Sequence, residues 1–166
     1  FNSTNSAKLC LADTVRVPDW AINQVYKNWA WQDLTRAQWQ AIDRGYDSAL
    51  LLSEHGYLTE GPGFNVAIIV GNHVYAPAHN RLPGVTMSTI KKICEENNIP
   101  FSYTNIDKTM LDSATDMFIA STAGDIIPVT QFEEIVFTKS FTQHQLDVLM
   151  QQAWTQDEFS TLLPSV

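Results

Sequence analysis

The sequence predicts an α/β fold, one domain in which a mixed sheet carries helices. Three observations lead there. A chain of 166 residues, 45% of them apolar, is long and apolar enough to bury a sizeable core. Alternating or β-branched apolar segments are interleaved with segments of helical period. No internal repeat or low-complexity stretch divides the chain.

The elements follow in order. Lys8 to Val17 alternates apolar and polar residues until Pro18, which predicts a first strand. From Trp31 to Arg44, Trp31, Leu34, Ala37 or Gln38, and Ala41 or Ile42 share one helical face, with Gly45 as the stop. Ser48 to Leu52 reads as a short buried strand, His55-Gly56 as a turn, and Gly61 to Gly63 as a tight loop before the strand Phe64 to Val70. Gly71-Asn72 turns the chain into a hairpin partner, His73 to Tyr75. Thr86 is placed as N-cap of a helix over Met87 to Asn97, which Asn98 and Pro100 end. Then come a strand (Phe101 to Asn105), a short helix (Thr109 to Ala114), two strands (Asp116 to Ser121, Ile126 to Phe132) and a last helix from Thr142 to Trp154. The remaining tail is weakly patterned.

Ten basic residues against eighteen acidic ones give a net charge of −8, so the chain offers no basic footprint for nucleic acid or an anionic membrane. Any anion must be caught by local donors. Cys10 and Cys94 are too few for a disulfide framework, and neither they nor the four histidines have metal-ligand spacing, so no metal is expected and a reducing cytoplasm is the default. No apolar run approaches the ~20 residues of a membrane span, and the polar start lacks the features of a signal peptide. Residue 1 is Phe rather than Met, so the chain reads as trimmed.

Four local features could carry chemistry. Lys27 is a lone cation among Tyr26, Trp29 and Trp31; aromatic surroundings that strip its water favour the nucleophilic amine, although a lysine stem lying on aromatic surface looks the same. Glu60 precedes a glycine-rich loop, where a carboxylate pairs with a protonated ring nitrogen or merely faces water. In Arg81 to Ile90, Gly84 leads into a helix start, a place where backbone N–H groups collect anions. In Ser121 to Val129, hydroxyls and a glycine turn at a strand end suit phosphate or carboxylate contact, or a plain bulge.

Each signal alone is bland, but their order is not. Lys27-Asn28 with the helix that follows, Leu58-Thr59-Glu60-Gly61-x-Gly63-x-Asn65, Leu82-x-Gly84-Val85-Thr86, and Thr122-Ala123-Gly124 with Pro128 resemble the cofactor-carrying C-terminal part of class IV (fold type IV) pyridoxal-phosphate aminotransferases. That group holds branched-chain, D-amino-acid and R-selective amine transaminases. The resemblance implies a mixed-sheet pseudo-barrel flanked by helices, the family's large domain, over residues 1–166, without the small N-terminal domain. It implies transamination between an amino donor and a 2-oxo acid, with pyridoxal 5′-phosphate as cofactor, in a homodimer.

By the same resemblance Lys27 is the Schiff-base lysine and Glu60 the carboxylate that keeps the ring nitrogen protonated. Val85 and Thr86 hold the phosphate with backbone N–H groups and a hydroxyl, and Thr122 adds a second hydroxyl. Leu82 lies on one face of the ring and Gly63 near the other, while Thr122-Ala123 receives the substrate carboxylate. The chain departs from the pattern in places. Gln32 stands where many members have a Tyr five residues after the lysine, and Met87 where Arg is common. Phe132 to Phe141 replaces a glycine-bearing loop. None of Arg16, Arg36, Arg44 or Arg81 stands where the family's phosphate-holding arginine is expected. An aminodeoxychorismate-lyase-like enzyme shares these cofactor residues and stays open, as does a non-catalytic or truncated fragment that is inactive without an N-terminal half.

Overall fold

The computed structural model describes residues 6–123, 125–138 and 140–155, so Gly124 and the tail beyond Thr155 lie outside it. The strands are β1 (Ala7–Leu11), β2 (Ser48–Leu50), β3 (Asn65–Val70), β4 (His73–Pro77), β5 (Phe101–Thr104), β6 (Asp116–Ser121), β7 (Asp125–Phe132) and β8 (Ile135–Val136). The helices are α1 (Gln32–Asp43), α2 (Val85–Glu96), α3 (Lys108–Asp112) and α4 (Phe141–Thr155). All strands join one mixed sheet in the order β2-β1-β7-β6-β3-β4-β5, with β8 paired to β7. β1 runs parallel to β2 and β7, and β4 parallel to β5; β3 is antiparallel to β4 and β6, as β7 is to β6 and β8.

The two edges of this sheet are tied together by one segment. Beyond β2, Leu51 N–H donates to the Glu60 carbonyl and Thr59 N–H to the Leu51 carbonyl, at 3.1 and 3.0 Å. From the same segment Leu58 N–H donates at 2.9 Å to the carbonyl of Ile106, just past β5. The sheet therefore curls into the expected pseudo-barrel, and period-two alternation decides what each side chain meets. Leu9, Leu50, Val66, Ile68, Met117 and Ile119 fill the interior with Leu58 and Phe132. Their neighbours Ala67, Ile69, Phe118 and Ala120 face outward and are covered by Met87, Ile90 and Cys94 of α2 and by Leu146 and Met150 of α4. Helix α1 packs Leu34, Ala37 and Ala41 on Cys10, Ala49 and Leu51. Small residues on its contact face let helix and strands approach closely.

Several boundaries differ from expectation. β1 ends at Leu11 rather than Val17, because the chain leaves the ladder there and Arg16 turns into the protein, 4% exposed. Helix α2 starts at Val85 with Gly84 in the cap position, so Thr86 lies inside the first turn instead of capping it. Asp107 caps α3 by accepting from Met110 N–H, which starts that helix one residue early. The buried face of α1 includes Asp33 but neither Trp31 nor Ile42, which are 40% and 59% exposed. Tertiary pairing of the acid, not apolar period alone, set that face.

Candidate active site

A cavity of about 370 Å³ opens where the Lys27 loop, the Glu60 to Gly63 turn, the start of α2 and the end of β6 converge. Glu60 forms its floor. It is 5% exposed, and its Oε1 accepts from Arg16 Nε at 3.1 Å and Nη2 at 2.9 Å, while Oε2 accepts from Leu82 N–H at 2.9 Å. Burial pushes this carboxyl above the usual carboxylate range, against the opposing pull of the Leu82 N–H, Arg16 and Arg81. Glu60 thus binds a proton more readily than a surface glutamate does.

The opposite end of the cavity is the first turn of α2. Its leading N–H groups have no acceptor within the helix. The Thr86 hydroxyl is buried beside them and has no hydrogen-bond partner among the described residues. A buried hydroxyl without a partner is costly, and a ligand oxygen relieves that cost. Asn65 aligns this turn with Glu60, since its Nδ2 donates to the Leu82 carbonyl at 2.9 Å. Gly84 permits that approach: a Cβ there would come within 2.1 Å of Asn65 Oδ1. On the facing wall Gly63 adopts φ +85°, a conformation that glycine holds without strain.

Lys27 lines the mouth, as do Val85, Leu82 and Thr122. Lys27 is exposed, and so are Tyr26 and Trp29, at 70% and 101%, so the aromatic enclosure that the sequence suggested does not form among the described residues. Ala123 lies outside the lining, and its N–H donates to Ser121 Oγ at 3.3 Å. The cavity therefore gathers Lys27, Glu60, Gly63, Leu82, Val85, Thr86 and Thr122, and leaves Ala123 at its margin. Cys94 takes no part: it is on the buried face of α2, and burial pushes its thiol up to about 12.

Sequence reasoning passed over three groups at this wall, of which Arg16 and Gln24 line the cavity. Arg16 donates to Asp33 Oδ2 at 2.5 Å, to Glu60, and to Gln24 Oε1 on the segment that carries Lys27. Asp33 and Gln24 are buried with it, at 6% and 2% exposure. Nothing in the linear pattern marks partners 17 and 44 residues away. The one available signal was an arginine set between two valines at the end of an apolar strand. Asn65 was legible as part of a motif but not as the residue that aligns two loops.

The chain is 27% identical over 114 residues to the branched-chain-amino-acid aminotransferase of Pseudomonas aeruginosa, an alignment that covers 68% of the chain and 37% of that protein. It is 32% identical over 85 residues to the D-alanine aminotransferase of Bacillus licheniformis, covering 50% and 30%. Its fold matches the crystal structure of an aminotransferase from Brucella abortus bound to the cofactor PLP with a TM-score of 0.83, at 17% identity, over 89% of this chain and 54% of that one. The chain spans about a third of the length of the curated relatives it matches. The family model for class IV amino-transferases matches residues 2–132, most of the chain, and that extent of agreement makes this chain a member of the class IV aminotransferase family.

Proposed function

We propose that the protein carrying this chain is a pyridoxal-phosphate-dependent aminotransferase that moves an amino group between an amino donor and a 2-oxo acid, with branched-chain amino acids as the first candidates for the donor. One observation carries the reading. A lysine, a buried carboxylate and an unpartnered buried hydroxyl at a helix start line a single cavity. The names of the relatives support the donor class.

The residues present fit the cofactor. The Val85 and Thr86 N–H groups and the Thr86 hydroxyl hold its phosphate at the start of α2, and Thr122 adds a hydroxyl from the end of β6. Oriented local donors of this kind bind a dianion even though the chain carries a net charge of −8. Glu60 would hold a proton at the ring nitrogen, Leu82 and Gly63 would lie beside the ring, and the Thr122-Ala123 turn would receive the substrate carboxylate. Lys27 Nζ takes up and returns the substrate proton. When bound, pyridoxal phosphate supplies a ring that accepts the electron pair released when the substrate C–H bond breaks.

In this reading the described pseudo-barrel is the cofactor-carrying large domain of a homodimeric, cytoplasmic enzyme. The exposed Val25 and Tyr26, which line the cavity, are covered by the rest of the whole protein. Borohydride reduction of that protein loaded with pyridoxal phosphate, followed by peptide mass spectrometry, tests the reading. The label is expected on Lys27 and absent from Lys27→Ala, a surface change that moves stability by no more than about 0.5 kcal/mol. A label on another lysine, or on none, refutes the assignment. Product analysis with branched-chain donors separates transamination from lyase chemistry.

A further inference from the structure

At the cavity floor three buried charges share one hydrogen-bonded cluster, in which Arg16 and Glu60 line the cavity and Asp33 does not. Side-chain exposures are 4% for Arg16, 4% for Asp33 and 6% for Glu60. Arg16 reaches Asp33 through Nη1, and Glu60 through Nε and Nη2. Asp33 is fixed from other directions too: its Oδ2 accepts from Val17 N–H and its Oδ1 from Leu34 N–H, each at 2.8 Å. Two negative charges therefore face one positive charge with little exposure to solvent. An unmatched charge in such a place is expensive and draws either a proton or a cation.

Two other cations lie near, and neither closes the gap. Arg81 lies over the Tyr103 ring, 4.2 Å from its centroid, and donates to the Pro77 carbonyl; it is half-buried, and water screens it. Lys27 is exposed. An Arg16–Glu60 pair alone would be neutral and would give a ring nitrogen little reason to hold a proton. Asp33 changes that sum.

We propose that Asp33 is a positioning residue that sets the charge of the cofactor site: by engaging Arg16 it leaves the buried cluster with one excess negative charge, which is matched by a proton on the ring nitrogen facing Glu60. This rests on the reading of Glu60 given above. Burial also raises the affinity of Glu60 for protons, so the site favours a proton shared between this carboxyl and a facing base. Sequence proximity to Lys27 did not mark Asp33, because its partner Arg16 comes from the other side of the loop.

The test uses the full-length protein and two probes, pyridoxine 5′-phosphate and its analogue with C–H in place of the ring nitrogen, with binding measured by calorimetry. A second readout is the nitrogen-15 shift of bound, ring-labelled pyridoxal phosphate, which reports protonation independently of turnover. The wild type is expected to prefer the pyridine probe by ~10-fold or more, one unit of proton affinity, and to hold the ring nitrogen protonated. Asp33→Asn loses most of that preference and shifts the nitrogen towards the unprotonated position. The double variant Arg16→Gln/Asp33→Asn removes one charge of each sign, restores the excess negative charge and regains the preference. A merely structural role for Asp33 predicts no such rescue. The proposal is overturned if Asp33→Asn keeps the wild-type ratio and shift. If Asp33→Asn does not fold, the double variant decides alone, and loss of preference there overturns the proposal. Wild-type protein that binds neither probe overturns the cofactor reading itself, whereas equal binding of both overturns only the charge assignments of Glu60 and Asp33.

Discussion

At the scale of single residues, Thr86 carries a cost that the ligand-free fold does not recover. Its hydroxyl is buried without a partner, in the first turn of α2, beside backbone N–H groups that lack acceptors. Thr86→Val keeps the shape and removes the oxygen. It is expected to raise the stability of the ligand-free protein by about 1 kcal/mol in thermal or urea unfolding, since an unsatisfied group disappears. The same change is expected to weaken pyridoxal-phosphate binding ~10-fold, one charge-assisted hydrogen bond, as read by absorbance titration. Equal affinity in both proteins would place the phosphate elsewhere. Thr86 was legible in the sequence because its motif marks a helix start. Its place inside the turn was not, because Gly84 took the cap: the close approach of Asn65 leaves no room there for a side chain.

At the scale of elements, that approach couples the α2 start to the glutamate turn. A Cβ on Gly84 would collide with Asn65 Oδ1, whose amide nitrogen holds the Leu82 carbonyl, and Leu82 N–H in turn holds Glu60. Gly84→Ala is expected to cost about 1–3 kcal/mol in denaturant unfolding by overpacking. Combined with Asn65→Ala, which removes the obstructing group, it is expected to cost less than the sum of the two single changes. Additive costs would show that the two loops are not coupled. Elements with a strong local signal, such as β3, β6 and α2, stand close to where their periodicity puts them. The errors fall where a distant partner decides. β4 runs on to Pro77 because β5 pairs alongside it, and β8 exists only because β7 offers it an edge.

At the scale of the whole molecule, Leu58 closes the barrel. Its backbone joins the β2 side to Ile106 beyond β5, and its side chain is buried in the interior cluster. Leu58→Ala is expected to cost about 2–5 kcal/mol and to speed amide exchange at Leu58 and along β5, as hydrogen-exchange mass spectrometry would show. Slow exchange retained along β5 would mean that closure does not depend on this residue. The fold class was readable in advance, because alternation, helical period and glycine placement are local properties; the site residues were named only by the resemblance of their ordered motifs to one family.

The sequence by itself determined that strands and helices are interleaved in one α/β domain, and that Lys27, Glu60 and the Gly84 to Thr86 turn lie in an order known from one family. Only the tertiary structure decided that Arg16, Asp33 and Glu60 share a single buried cluster, that Trp31 leaves the core for the cavity mouth, and that one segment closes the sheet. The physical reason is the range of the forces involved. Periodicity records how neighbouring residues share a face, whereas buried charges are placed by partners that only folding brings within hydrogen-bond reach.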